Sequence, residues 1–175
     1  MANFQAQIEG LTSISTGTTP TTTELTTFLT DGAKDLINKL TMLRPDEAFK
    51  FATEETKDDS TGTTVTGKIL SVVRENNNST DLRSATPIPA NLRFLVTDAE
   101  SIYYRSRFNP CYYLLNKKIF VLPAPTGAND GALISQINYP AIAYSNDSGD
   151  NLLPDEYEYL VVLYAAAMTS QVVAA

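Results

Sequence analysis

LPDEYEYLVVLYAAAMTSQVVAA, residues 153–175, is the stretch around which the rest of the chain is read. Pro154 suits the first position of a helix, Asp155 and Glu156 favour its positive N-terminal end, and the Leu, Ala, Tyr, Met and Gln that follow tolerate helix well. After Glu158 there is no charged residue. A surface helix carries a polar stripe, so a helix apolar nearly all round has to be covered by protein on most sides. Two coverings fit: the chain's own domain wrapped around a central helix, or that domain on one side and neighbouring copies on the other. The segment falls short of the ~20 apolar residues of a membrane span, and it carries Tyr159, Thr169, Ser170 and Gln171. Leu160, Val161, Tyr164 and Ala167 are assigned to the intramolecular face, and Val162, Ala166 and Thr169 to an inter-subunit face.

Upstream, the sequence gives an α+β pattern: N- and C-terminal helices forming a helical bundle, with a β-rich central insertion containing hairpins. Thr21 with Glu24 is a capping box, and Leu25, Phe28, Leu29, Ala33, Leu36, Ile37 and Leu40 lie on one face of a helix over 21–44 that Pro45 stops. Before it, 12–23 is a Thr/Ser/Gly/Pro stretch read as an extended arm or loop, and 2–11 reads equally as extended or as a helical turn. The grammar becomes β-rich over 51–150, with a strand at 68–74 and a hairpin of 112–115 and 118–122 around Asn116-Lys117. A short helix is expected over 91–102 and a further strand over 132–139, ahead of the final helix at 154–175. Residues 1–175 read as a single domain.

Composition narrows function. With 20 acidic and 13 basic residues the net charge is −7, which opposes a role in gripping phosphates. There is no His, no Trp and one Cys, so zinc sites of the usual types, Ser-His-Asp triads and Cys-His dyads are excluded by inventory. No catalytic, cofactor-binding or metal-binding residue is assigned. Cys111 reads as a small buried residue, and Asp58-Asp59 as solvated aspartates without the further ligands a Ca²⁺ loop needs. Asp155, Glu156 and Glu158 would be candidates for a hydrolase using only carboxylates, and helix N-terminal charge accounts for them more simply. Tyr103, Tyr104, Arg105, Arg107 and Phe108 have the make-up of a stacking platform, but two arginines in an acidic chain fit better a packed loop whose arginines meet partner carboxylates. The tyrosines around Tyr103 and Tyr112 leave a small β-rich ligand-binding module as an alternative. MANFQAQIEG has no basic start followed by an apolar run, so the chain is expected to be made and assembled in a cytoplasm.

Taken in order, TTELTTFLTDGAKDLINKL (22–40), KILSVVRE (68–75), NPCYYLLNKKIFVLPAP (109–125) and EYEYLVVLYAAAM (156–168) resemble the head-to-tail adaptor, connector or neck proteins of tailed bacteriophages, those of marine and cyanobacterial phages in particular. The resemblance rests on the order of helix, strand, hairpin and uncharged helix rather than on one motif. It implies a virion structural protein and not an enzyme: a homo-oligomeric ring, most often dodecameric, between the portal protein and a tail or neck protein below. DNA would pass through the ring without specific binding, the site of action would be the head-tail junction, and no cofactor or membrane would be involved. Members of the family commonly continue past the apolar helix with a segment that docks onto the portal. Other phage neck or tail structural roles are the nearest alternatives.

Overall fold

The computed structural model describes residues 3–78, 80–146 and 153–174, which form three α-helices and two four-stranded sheets. The α+β class read from the sequence holds, with helices toward both ends and a β-rich middle. Contacts gather the chain into two compact units, Met1–Phe51 with Tyr139–Ala175, and Ala52–Asn138. The second is inserted in the first. Residues 147–152, most of the loop read ahead of the final helix, lie outside the described residues, as does Ala175 at its end.

In the helical unit, α1 (Phe4–Thr12) and α2 (Thr22–Leu43) both pack on α3 (Asp155–Ala174). The capping box forms as read: the Glu24 amide donates to Thr21 Oγ1 at 3.3 Å and the Thr21 amide to Glu24 Oε2 at 2.7 Å, satisfying two otherwise orphan helix donors. Leu25, Leu29, Ala33 and Ile37, four residues apart, make its buried stripe. Arg44, squeezed by the ring of Pro45, leaves helical geometry at φ −138°, ψ 74°. The threonines of α2 have a separate task. The Thr30 hydroxyl accepts from the Ile142 amide at 3.2 Å and Thr26 from the Tyr144 amide at 3.3 Å, while Tyr139 donates to Asn38 at 2.8 Å, so one polar face of the helix fastens the returning segment 139–146.

Residues 2–11, open between extended and helical in sequence, are mostly α1, capped by Asn3 Oδ1 accepting from the Ala6 amide at 2.9 Å. Of the stretch 12–23, Thr12 closes α1 and 22–23 open α2, and the residues between are a loop folded back on α1 rather than an extended arm. Glu9 Oε1 accepts from both the amide (2.9 Å) and the hydroxyl (2.6 Å) of Thr16, and these bonds, with one from Gln5, hold the Glu9 carboxyl below the usual carboxylate range.

The assignment of faces on α3 is corrected. Val162, Ala166 and Thr169 are buried within the chain, together with Val161 and Ala165, whereas Leu160, placed inward from the sequence, is 48% exposed and Ala167 is exposed too. Because α3 is flanked by both α1 and α2, its buried stripe is wide and takes in positions 158, 161, 162, 165, 166 and 169. Tyr164 lies over Gly32 of α2, where a Cβ would stand 2.9 Å from its ring. A side chain at 32 would therefore force the helices apart.

In the β unit, one sheet has the order β1 (Ala52–Lys57), β8 (Ala132–Ile137), β3 (Ile69–Glu75), β4 (Leu82–Ser84), all antiparallel. The other runs β2 (Thr63–Thr64), β7 (Lys118–Leu122), β6 (Cys111–Leu115), β5 (Thr86–Pro87), with β5 parallel to β6. Val72, Ala132 and Ile134 of the first sheet meet Ile119 and Val121 of the second in a shared core. Asn116 (φ 51°) and Lys117 (φ 59°) make the two-residue turn of the β6–β7 hairpin, whose consecutive positive φ values match strand twist. The helix expected over 91–102 reduces to a short 3₁₀ turn, Ala90–Leu92. Side chains capture the backbone there: Asp98 Oδ1 accepts from the Glu100 amide at 3.0 Å, Ser101 Oγ from the Tyr103 amide at 3.1 Å, and the Thr97 hydroxyl donates to the Phe94 carbonyl at 2.9 Å. These local bonds compete with the helical ladder.

Arg74 of β3 is fully buried, in phase with Val72 on the core face. Its guanidinium donates to the carbonyls of Pro123 (2.7 Å), Glu75 (2.6 Å) and Ala124 (3.3 Å) and to Asp130 Oδ1 (2.8 Å). Burial pushes the Asp130 carboxyl up, but hydrogen bonds from Arg74 and Thr126, with the charges of Arg74 and Arg107, outweigh it and hold the group below its ordinary value. Glu75 adds a clamp by accepting from the Gly131 amide at 3.0 Å. Removing one partner of such a buried pair strands the other, so Arg74→Met should lower stability by about 3–5 kcal/mol, read as a fall in the urea midpoint. The double variant Arg74→Met/Asp130→Leu should recover part of the loss; a single variant as stable as the parent would mean that the cation is not needed.

Candidate functional site

Each unit presents an exposed apolar surface, and these are the features a binding partner could use. On α3, Leu160, Leu163, Ala167, Ser170 and Ala174 follow one another at spacings of three and four residues, which places them along one side of the helix. All are exposed, and Tyr159 and Val173 widen the stripe. The Ser170 hydroxyl donates to the Ala166 carbonyl at 3.0 Å, so even this polar group is turned to its own helix. Uncharged from Tyr159 onward, the stripe has no salt-bridged rim of the kind that keeps a lone helix in water.

On the β unit the surface is the loop 93–110 between the 3₁₀ turn and β6. Val96 anchors it: the side chain is buried, and its carbonyl accepts from the Arg105 amide at 2.9 Å. Around that anchor Phe94, Ile102 and Phe108 are 69%, 92% and 70% exposed, with Leu95, Tyr103 and Tyr104 beside them. Guanidinium groups interleave with the rings. Arg93 stacks on Phe94 with 4.3 Å to the centroid, Arg83 of β4 lies 5.8 Å from the Phe108 ring, and Arg107 Nε stands 3.6 Å from Asp130 Oδ1. A cavity of about 220 Å³ opens beneath, lined by Val96, Thr97, Tyr104, Arg105, Leu122, Pro123 and Ala124. A long loop of exposed aromatics on a rigid sheet scaffold is the usual place for recognition, and contiguous exposed apolar surface marks contact sites.

Several residues singled out by sequence have local structural employment. Glu156, at the start of α3, forms an ion pair with Lys50, which also meets Glu47 at 2.6 Å; Tyr157 donates to Glu47 at 3.1 Å and its ring lies 5.6 Å from that of Phe51. Glu158 is buried, so the three acidic residues of the first turn do not converge on one open site. Asp59 accepts from the Thr61 amide and hydroxyl, both at 2.7 Å, which with Lys57 at 3.2 Å keep its carboxyl below the ordinary range. No group of three or more His, Cys, Asp or Glu among the described residues is arranged to hold a metal ion. Burial pushes the Cys111 thiol up, away from thiolate chemistry. Tyr103 is exposed while Tyr112 packs against the β core, so the tyrosine platform considered from sequence is not assembled. Arg107 does meet a carboxylate, that of Asp130 in its own chain.

Sequence reasoning passed over Arg74 and Leu163. The signal for Arg74 was its alternation with Val72; for Leu163 there was none, because its neighbours on every side are equally apolar. No family model matches the chain, and no curated protein matches it.

Thr169 offers a check on the corrected face. It is fully buried and its hydroxyl has no hydrogen-bond partner among the described residues. A buried unsatisfied hydroxyl costs about 1–3 kcal/mol, so Thr169→Val, close in shape, should stabilise the protein by about 1 kcal/mol, read by thermal or urea unfolding. Destabilisation on this change would place the hydroxyl in a contact of its own.

Proposed function

We propose that this chain is a structural subunit that assembles with copies of itself into a closed ring, and that it serves as a head-to-tail adaptor of a tailed bacteriophage, placed between portal and tail. The observation that carries the ring is the uncharged, exposed stripe of α3 around Leu163. In a lone subunit this side stays wet; in a ring, a neighbour packed against it removes apolar area at roughly 25 cal/mol per Å². A head-to-tail contact repeated with closing rotation makes a ring, whereas a two-fold contact would stop at a dimer. The adaptor role comes from the resemblance in element order, and the helical unit with its inserted β unit is compatible with it. The acidic balance fits a channel wall that offers passing DNA no binding sites. The ligand-module alternative is less well supported, since the tyrosines it would use are not brought together: Tyr103 is exposed while Tyr112 packs against the β core.

Native mass and negative-stain images of the purified chain, alone and with the portal protein, test the ring. Leu163→Glu should leave helical circular dichroism unchanged and abolish assembly, because a carboxylate in a packed contact costs several kcal/mol to desolvate. Normal assembly of that variant would remove the α3 stripe from the interface. A gel-shift titration should give no sub-micromolar DNA binding at physiological salt; tight, steeply salt-dependent binding would contradict the passive channel.

A further inference from the structure

A ring contact joins two different surfaces of one chain, so the exposed stripe of α3 requires a mate elsewhere on the molecule. Loop 93–110 has the area. Its Phe94, Leu95, Ile102, Tyr103, Tyr104 and Phe108 are between 43% and 92% exposed. With roughly 150–250 Å² to an aromatic side chain, they leave on the order of 600 Å² of apolar surface in water, the upper end of what a monomer exposes in one patch. One side of a standard protein interface covers roughly 800 Å², somewhat more than half of it apolar, so the loop amounts to a whole side. On α3, Tyr159, Leu160, Leu163 and Val173 are 38–59% exposed. With the small residues between them they leave on the order of 500 Å², an area of the same size.

Charge does not select the loop's mate. Arg93 and Arg105 meet no carboxylate among the described residues, but Asp98 and Glu100 are exposed and form no ion pair there either, and the four cancel. A charged mate would be repelled by one pair or the other, whereas a face without charge is repelled by neither. Other exposed apolar residues have charges next to them: Met42, Leu43 and Phe49 stand among Arg44, Asp46 and Lys50, and Leu114 and Leu115 beside Lys117 and Lys118. From Tyr159 onward α3 has none. Shape agrees with this match. Beyond Leu163 the stripe continues in small side chains, Ala167, Ser170 and Ala174, which leave a trough along the helix, while Phe94, Ile102 and Phe108 project from the loop.

We propose that the α3 stripe of one copy packs on loop 93–110 of the next, with Phe94, Ile102 and Phe108 entering the trough that runs from Leu163 to Ala174. The loop is held ready for the contact by buried Val96 and by Arg107 on Asp130, which lowers the ordering cost of binding. Stripe on stripe, or loop on loop, would be a two-fold contact that stops at a dimer. Stripe on loop leaves one surface of each kind free at the ends and repeats until it closes. The contact rests on the ring reading above and names the surface that its α3 stripe meets.

The test uses one variant spoiled in each surface, Leu163→Glu in the stripe and Ile102→Asp/Phe108→Asp in the loop, under the conditions in which the parent assembles. All three positions are exposed in a single copy, so circular dichroism should not change. Each variant alone should self-associate about 100-fold or more weakly, because a carboxylate is desolvated in the contact. Mixed one to one, they should form a heterodimer by native mass and go no further: one intact stripe meets one intact loop, and the surfaces left over are both spoiled. A photoreactive p-benzoylphenylalanine at position 108 should, on illumination of the assembled ring, link to the 159–174 segment of another copy, identified by peptide mass. A ring or dimer that survives in the loop variant, a mixture that stays monomeric or closes a ring, or a photoproduct that maps elsewhere overturns this contact and leaves the ring reading standing. A parent chain that stays monomeric alone and with the portal overturns both.

Discussion

A guanidinium removed from water has to find acceptors for its donors, and Arg74 finds most of them in the segment that joins β7 to β8. Its bonds to the Pro123 and Ala124 carbonyls and to Asp130 fix both ends of the connection between β7 and β8. Since β8 is the central partner of β1 and β3, and β7 of β2 and β6, the position of that connection governs how the two sheets meet. Residues such as Leu122 and Pro123 then form the floor under loop 93–110. The exposed aromatic surface is thus held from below by a dry ion pair, whose value lies less in net stability than in permitting one arrangement of its acceptors. Arg107, reaching the same Asp130, couples the surface loop to this core.

The helical unit meets the opposite constraint. Beyond Glu158 its central helix has no charge to be satisfied, and therefore nothing in that part of α3 opposes burial on any side. Two sides are taken by α1 and α2, and close approach at Gly32 and Tyr164 fixes the crossing with α2. The remaining side is the one around Leu163. Polar work in this unit has been shifted to α2, where Thr26, Thr30 and Asn38 hold the returning chain by side-chain bonds rather than by a strand ladder.

Much of this was legible in the residues, and the gaps have identifiable causes. The Thr21–Glu24 box, the stop at Pro45 and the Asn116-Lys117 turn are local chemistry, and each formed where it was read. The existence of α3 was equally clear, yet its orientation was not: a helix apolar on all sides has no preferred inward direction, so Leu160 and Val162 could be exchanged without any sequence signal objecting. Residues 91–102 misled because Leu92, Leu95, Val96 and Ala99 have helical spacing, while Thr97, Asp98 and Ser101 bind the backbone in ways that spacing does not register. Of the candidate surface, the composition of Tyr103 to Phe108 stood out at once. That Phe94 and Ile102 join it in solvent was hidden, since large apolar residues are ordinarily counted as core.

The insertion of one unit inside the other bears on the order in which a growing chain can acquire structure. Ala52 pairs with Ile137, so the β unit opens and closes on neighbouring positions of adjacent strands, and its two ends lie side by side. All of its strands have been synthesised before α3 begins at Asp155. The helical unit is in the reverse position: Leu25, Leu29 and Ile37 of α2 wait with their apolar stripe uncovered until α3 arrives. During translation the β unit is therefore able to close a core before the α3 stripe, the surface on which the proposed assembly depends, has been made.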